Sequence, residues 1–267
     1  MVVYVKNRQV HPFHLVDPSP HPFFLAVSFA PLGLAIGSQF DDEIFLLRDE
    51  LCFTIGMIFV AMFSWWSNVL KESRKGHHTK EVQKGLRIGM ILFIISEFMF
   101  FFSLFWAFFH SSINPNIFIG SWPPLGVNAI NPWGLPFLNT ALLLASGVSV
   151  TWAHHAIRAG NYKDTFEGLL FTILLGLKFI FVQIKEYLKC PFTIADSVFG
   201  SCFFLLTGFH GFHVFVGVLF IIVCFLRHLK CQFSRKHHVG FECALWYWHF
   251  VDVVWLFLFV SVYIWSW

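Results

Sequence analysis

Charge is what this sequence has least of. Only 12% of its 267 residues are Asp, Glu, Lys or Arg, about half the share that a soluble globular domain carries. That shortage excludes an ordinary water-facing surface. Paired cysteines are also missing: Cys52, Cys190, Cys202, Cys224, Cys231 and Cys243 include no C-x-x-C, so a redox pair or thiolate metal cage is not expected, and the six read as small buried hydrophobes. There is no phosphate loop, no nucleophile elbow and nothing that favours nucleic acid. No internal repeat is visible, and no strand alternation is long enough for a membrane barrel. The first 20 residues hold neither the apolar core of a signal peptide nor an Arg/Ser-rich presequence, so the chain is expected to insert from the compartment where it is made.

What the sequence has in abundance is apolar surface. Hydrophobic residues make up 57%, with 37 Phe, which suits lipid-facing helices. A spanning helix needs about 20 mostly apolar residues. Seven stretches qualify: 22–40, 51–70, 88–113, 136–157, 165–187, 197–226 and 243–267. The fold class is therefore all-α, a polytopic membrane protein with seven transmembrane helices. The single 1–267 domain divides into a tail at 1–21, helices one and two at 22–70, a basic inner loop at 71–87 and helices three to seven at 88–267. The longest polar connection, 114–135, is rich in Pro, Gly and Asn, which favour turns, and its Trp122 and Trp133 suit a membrane interface.

The cations are distributed unevenly. Lys6, Arg8, the six of the second loop (Lys71, Arg74, Lys75, Lys80, Lys84, Arg87), Arg158, Lys163, Arg227, Lys230, Arg235 and Lys236 place 14 on one side, against Arg48, Lys185 and Lys189 on the other. By the positive-inside rule the N-terminus is inside and the C-terminus outside. Ala141, Ala145, Ser149 and Ala153 in helix four, and Gly33 and Gly37 in helix one, are spaced to let helices approach closely, which makes helix four central.

Polar groups inside the spans carry the chemistry. Glu97, near the middle of helix three, is costly as a bare carboxylate and should be protonated or partnered. It reads either as a relay or regulatory acid or as a hydrogen-bonded structural one. His210 and His213 share a face of helix six, His154 and His155 end helix four, and His249 and Asp252 lie in helix seven. Histidines in membrane helices ligate haem or copper when paired at matched depth, and these do not match. They read as structural polar groups, and no metal ligands are expected. Lys178 raises a retinal Schiff base, but it sits in helix five and the inside N-terminus opposes the receptor arrangement. It calls instead for a polar partner, such as Glu186 two turns on, or for snorkelling to the outer interface. The basic loop is suited to anionic headgroups as well as to setting topology.

Long strings carry a resemblance: His14-Leu15-Val16-Asp17-Pro18-Ser19-Pro20, Gly76-His77-His78-Thr79, Phe105-Trp106-Ala107-Phe108-Phe109-His110, Thr151-Trp152-Ala153-His154-His155, Thr207-Gly208-Phe209-His210-Gly211-Phe212-His213 and Trp246-Tyr247-Trp248-His249-Phe250-Val251-Asp252. From about His14 to the C-terminus the chain resembles cytochrome c oxidase subunit III. The resemblance implies a core, non-catalytic subunit of a complex that oxidises cytochrome c, reduces oxygen to water and pumps protons. Haem a and copper would reside in subunits I and II, with accessory subunits alongside and no cofactor in this chain. It implies helices in two groups, one–two and three–seven, around a V-shaped cleft of bound phospholipids, cardiolipin among the membrane lipids, that aids oxygen access, stability and proton uptake. Family lipid contacts map onto Trp66, Lys71, His78, Arg87, Arg227 and His238, and the buried acid onto Glu97. The implied setting is the mitochondrial inner membrane, multi-pass, with the N-terminus in the matrix and the C-terminus in the intermembrane space. Three departures stand out: Lys71 replaces the usual Arg, which weakens a bidentate phosphate clamp, Lys178 replaces an uncharged residue, and the loop after helix three is short. A bacterial cytochrome or quinol oxidase subunit III is the nearest alternative. A stand-alone proton channel or transporter built on Glu97 is a more distant one.

Overall fold

The computed structural model describes residues 11–37, 44–115 and 120–267, without the side chains of 35–37 and 44–50. Lys6, Arg8 and the side chain of Arg48 therefore lie outside what is described. Seven α-helices follow one another: α1 His21–Gly37, α2 Ile44–Arg74, α3 Lys80–Ile113, α4 Leu135–Ala159, α5 Tyr162–Leu188, α6 Val198–Leu229 and α7 Val239–Leu258, the last continuing into a π-helical turn, Phe259–Ile264. There is no strand among the described residues. Six helices are long and apolar enough to cross a membrane, and α1 is a shorter apolar helix. Inside hydrocarbon only helices or closed barrels satisfy the backbone, so the chain is a polytopic all-α membrane protein.

The helices outrun the apolar stretches. α2 continues to Arg74 and α3 begins at Lys80, so the expected basic loop at 71–87 shrinks to 75–79. Charged residues end the hydrophobic signal well before they end the helix. The connections are capped as their sequences demand. Asn161 accepts from the Asp164 N–H at the start of α5, and Ser197 accepts from Gly200 at the start of α6. Gly160 closes α4 at φ 80°, a left-handed conformation that glycine adopts without strain.

Two compact units divide the chain after Leu86. In the first, α1 packs on α2 through His21. Asn68 Nδ2 donates to His21 Nε2 at 2.6 Å, so Nδ1 carries the proton and donates to Ser64 Oγ at 3.2 Å, whose hydroxyl passes on to the Ala61 carbonyl.

In the second unit α4, α5, α6 and α7 form the tightly packed part. Trp248 of α7, fully buried, sits in a notch that two glycines leave open. A Cβ on Gly176 of α5 or Gly217 of α6 would approach its ring to 2.8 or 2.9 Å. Gly168 likewise admits α4: a Cβ there would meet Ala153 Cβ and the Ser149 carbonyl at 2.9 Å. Close approach through small residues is what holds helices together where lipid is as apolar as leucine. The small-residue expectation is half corrected. Ser149 and Ala153 are buried, but Ala141 and Ala145 face outward, and so does Gly33, with nothing within 4 Å. Among the cysteines Cys224 and Cys243 are buried, whereas Cys52 and Cys231 are exposed.

Candidate functional site

Glu97 lies halfway along α3 and keeps 23% of its side chain exposed, so it is less enclosed than expected. His213 Nε2 is 2.8 Å from Glu97 Oε2, and His213 Nδ1 is 2.7 Å from the Phe209 carbonyl. The carbonyl only accepts, so Nδ1 bears a proton. The Nε2–Oε2 contact then holds one further proton, either on the imidazole facing a carboxylate or on the carboxyl facing a neutral ring. α3 and α6 are thereby joined by a single shared hydrogen.

A second charged group gathers where α7 begins. Arg87 Nε donates to Glu242 Oε2 at 2.7 Å. His238, the residue before α7 and 5% exposed, places Nε2 3.4 Å from Glu242 Oε1. Its Nδ1 is 2.9 Å from the Ser234 carbonyl. His154 of α4 faces His238, with ring centroids 5.5 Å apart. Neither Glu242 nor this grouping was visible in the sequence, because helix seven was expected to start at Cys243 and both residues fell in a loop. The i,i+4 spacing of His238 and Glu242 was the available signal.

Deeper in the second unit, polar side chains pair across helices. Asp252 is buried, with Oδ2 3.7 Å from His249 Nδ1, and His249 Nε2 meets Thr151 Oγ1 at 3.2 Å. Gly147 makes room for that carboxylate, since a Cβ there would lie 2.7 Å from Asp252 Oδ2. Asn139 donates to Gln183 and Gln183 to Glu186, whose Oε1 also accepts from Tyr263 at 2.6 Å. Glu186 is thus turned inward, which corrects the pairing expected with Lys178. Lys178 faces outward from α5 and has no ion-pair or hydrogen-bond partner among the described residues. His210 departs from its structural-polar reading as well. It is buried against Phe179 and Trp255, with no hydrogen-bond partner on either ring nitrogen among the described residues.

The six expected lipid contacts divide between the units. Trp66 (62% exposed), Lys71 and His78 belong to the first; Lys71 is exposed and donates to Asn68, and His78 is half-buried and engaged. Arg87, Arg227 and His238 belong to the second. There Arg227 lies over the Phe233 ring at 4.4 Å, Arg87 gives its Nε–H to Glu242 with its side chain still 34% exposed, and His238 is buried beside the same carboxylate.

Between α3 and α7 runs an apolar groove of about 600 Å³, walled by Phe98, Phe102, Trp106, Phe250 and Phe257 among others. Outside the spans, Asp196 in the α5–α6 connection accepts from the Thr193 N–H at 2.6 Å, and that hydrogen bond holds its carboxyl below the usual value. Partial burial pushes the nearby Cys190 thiol up.

Residues 11–267 match the family described as cytochrome c oxidase subunit III. The chain is 56% identical over 264 residues to cytochrome c oxidase subunit 3 of Triticum aestivum, covering 97% of this chain and 98% of that one. It is 53% identical over 264 residues to that of Eudorcas rufifrons (97% and 99%), and 52% identical over 261 residues to that of Drosophila melanogaster (96% and 97%). With a match that runs nearly end to end, and seven helices in place of any soluble core, the chain belongs to the cytochrome c oxidase subunit III family.

Proposed function

We propose that the chain serves the oxidase of the mitochondrial inner membrane as a core subunit without a catalytic centre, standing beside subunits I and II and the accessory subunits. In this reading haem a and copper belong to those partners. This chain contributes stability, retained phospholipid and a dry path for oxygen, and the Glu97–His213 hydrogen tunes proton uptake. The N-terminus lies in the matrix and the C-terminus in the intermembrane space; the lopsided cations support this orientation.

The observation that carries the lipid role is the outward surface of α3. Leu92, Phe93, Phe98, Met99, Phe102 and Trp106 are all exposed, and the apolar, aromatic lining of the groove beside them suits an acyl chain. Lys71 and Arg227 supply cations for headgroups, each adding about 1 kcal/mol at an anionic surface. Cardiolipin or another phospholipid is the ligand class.

The test is an oxidase carrying Lys71→Ala and Arg227→Ala. Lipid mass spectrometry should show bound phospholipid lost, and the enzyme should inactivate after fewer turnovers at an unchanged initial rate. A delipidated double variant that lasts as long as the wild type would remove lipid retention from the role of this subunit.

A further inference from the structure

We propose that His154, His238 and Glu242 form a binding site for a divalent metal ion of the zinc type, tying α4 to the start of α7. One ligand atom from each residue lies within 4.8 Å of the others. Two imidazoles and one carboxylate are a donor set that zinc accepts, leaving a fourth position open.

The hydrogen bonds around the cluster orient it as a metal site. His238 Nδ1 lies 2.9 Å from the Ser234 carbonyl, which can only accept, so the proton sits on Nδ1 and the Nε2 lone pair points inward. A backbone carbonyl behind a histidine is the usual arrangement that presents the opposite nitrogen to a metal. Glu242 is held the same way: Oε2 is taken by Arg87 at 2.7 Å, which leaves Oε1 for the cluster. Among the described residues His238 Nε2, buried in a residue only 5% exposed, has no hydrogen-bond partner; it stands 3.4 Å from Glu242 Oε1 without hydrogen-bond geometry. His154 Nε2 is likewise buried and unpartnered.

A lone pair and a carboxylate oxygen facing each other at this range repel unless something positive lies between them. The distance also fits. Ligands bound at about 2.0–2.1 Å in a tetrahedron stand ~3.3 Å apart, so His238 and Glu242 already have the spacing, and the His154 side chain needs to close by at most ~1.5 Å. The competing occupant is a proton, which would make His238 an imidazolium ion-paired to Glu242 and leave His154 idle.

The experiment uses the purified oxidase complex containing this chain. It is stripped with a chelator, equilibrated with 65Zn2+ at low micromolar free concentration and gel-filtered. The wild-type complex should retain one more equivalent than complexes carrying His154→Gln or Glu242→Gln, whose affinity for that equivalent falls ~10-fold or more. His155→Gln, on the exposed neighbour in the same helix turn, should behave as wild type. Anomalous diffraction at the zinc edge should place a peak between the three side chains. Equal retention in all four complexes overturns the proposal. If a variant fails to assemble, the wild-type map decides alone: a zinc-soaked complex with no peak there means that the cluster holds only a proton.

Discussion

α3 and α7 are both apolar enough to cross a membrane, yet they live in different solvents. Of the most apolar 18-residue window in each, 6% is buried within the protein in α3 and 61% in α7. The α3 window is the more hydrophobic of the two, so the hydropathy of the best window would rank their burial the wrong way round. What marks α7 as a core helix is polarity that has somewhere to go. Its Trp248 and Trp255 indoles donate to Ser146 and Thr140 of α4, each at 2.9 Å, and Asp252 and His249 pair beside them. On α3, among the described residues, Ser96, Ser103 and Ser111 bond only to carbonyls of their own helix, and its cross-helix polar contacts are those of Arg87 and Glu97. Lipid asks nothing of a helix beyond apolar surface, whereas a helix neighbour asks for small notches and matched donors.

The largest test of this contrast replaces one tryptophan in each helix. Trp248→Ala empties a fully buried site and should cost ~3–5 kcal/mol, read as lost thermal stability of the detergent-solubilised complex. Trp106→Ala, at a site 66% exposed, should stay within ~0.5 kcal/mol. A comparable loss at Trp106 would mean that a partner protein, not lipid, covers α3.

A smaller effect is expected from adding a methyl. Gly168→Ala forces a Cβ against α4 and should cost ~1–3 kcal/mol, while Gly89→Ala on α3 meets nothing within 4 Å and should be neutral or slightly stabilising. Equal behaviour of the two in a thermal assay would dissolve the distinction between the helices.

Chemical access separates the acids. A hydrophobic carbodiimide should label Glu97, 23% exposed, several-fold faster than Glu186, which is 3% exposed behind Tyr263. Preferential labelling of Glu186, mapped by peptide mass spectrometry, would reverse that assignment.

The smallest effect lies outside both helices. The Thr193 N–H keeps the Asp196 carboxyl below its ordinary 3.8, a depressed folded value. Its contribution is therefore complete above that ordinary value and lost as pH falls through the lower folded one. Asp196→Asn should shift melting slightly and equally from neutral pH down to mild acid, with the difference closing only below about pH 4. A difference that widened in acid would contradict the hydrogen bond.

The helices were legible in the sequence because 20-residue apolar runs have no other use. Their ends were not: from Lys80 to Arg87 the helix is polar, so hydropathy goes silent while the backbone continues. Glu97 could be singled out as a lone acid in an apolar run, whereas its partner His213 could not be assigned, since which residues of α3 and α6 meet is a matter of packing. Glu186 was matched to Lys178 on spacing, but eight residues at 3.6 per turn leave about 80° between them, enough to send one inward and the other out.

The tryptophan donors of α7 also bear on the register of the bundle. Trp248 reaches Ser146 and Trp255 reaches Thr140, so along the two antiparallel helices the contacts run in opposite chain order, like two teeth of a key. Sliding α7 by one residue moves it ~1.5 Å and turns it ~100°, which disengages both. Tyr263, four residues from the C-terminus, adds the hydrogen bond that Glu186 shares with Gln183. Tyr263→Phe would keep every helix yet leave the buried Glu186 carboxyl with Gln183 as its one hydrogen-bond partner among the described residues. The π-helical turn that continues α7 thus works as a latch on the register that the two tryptophans set.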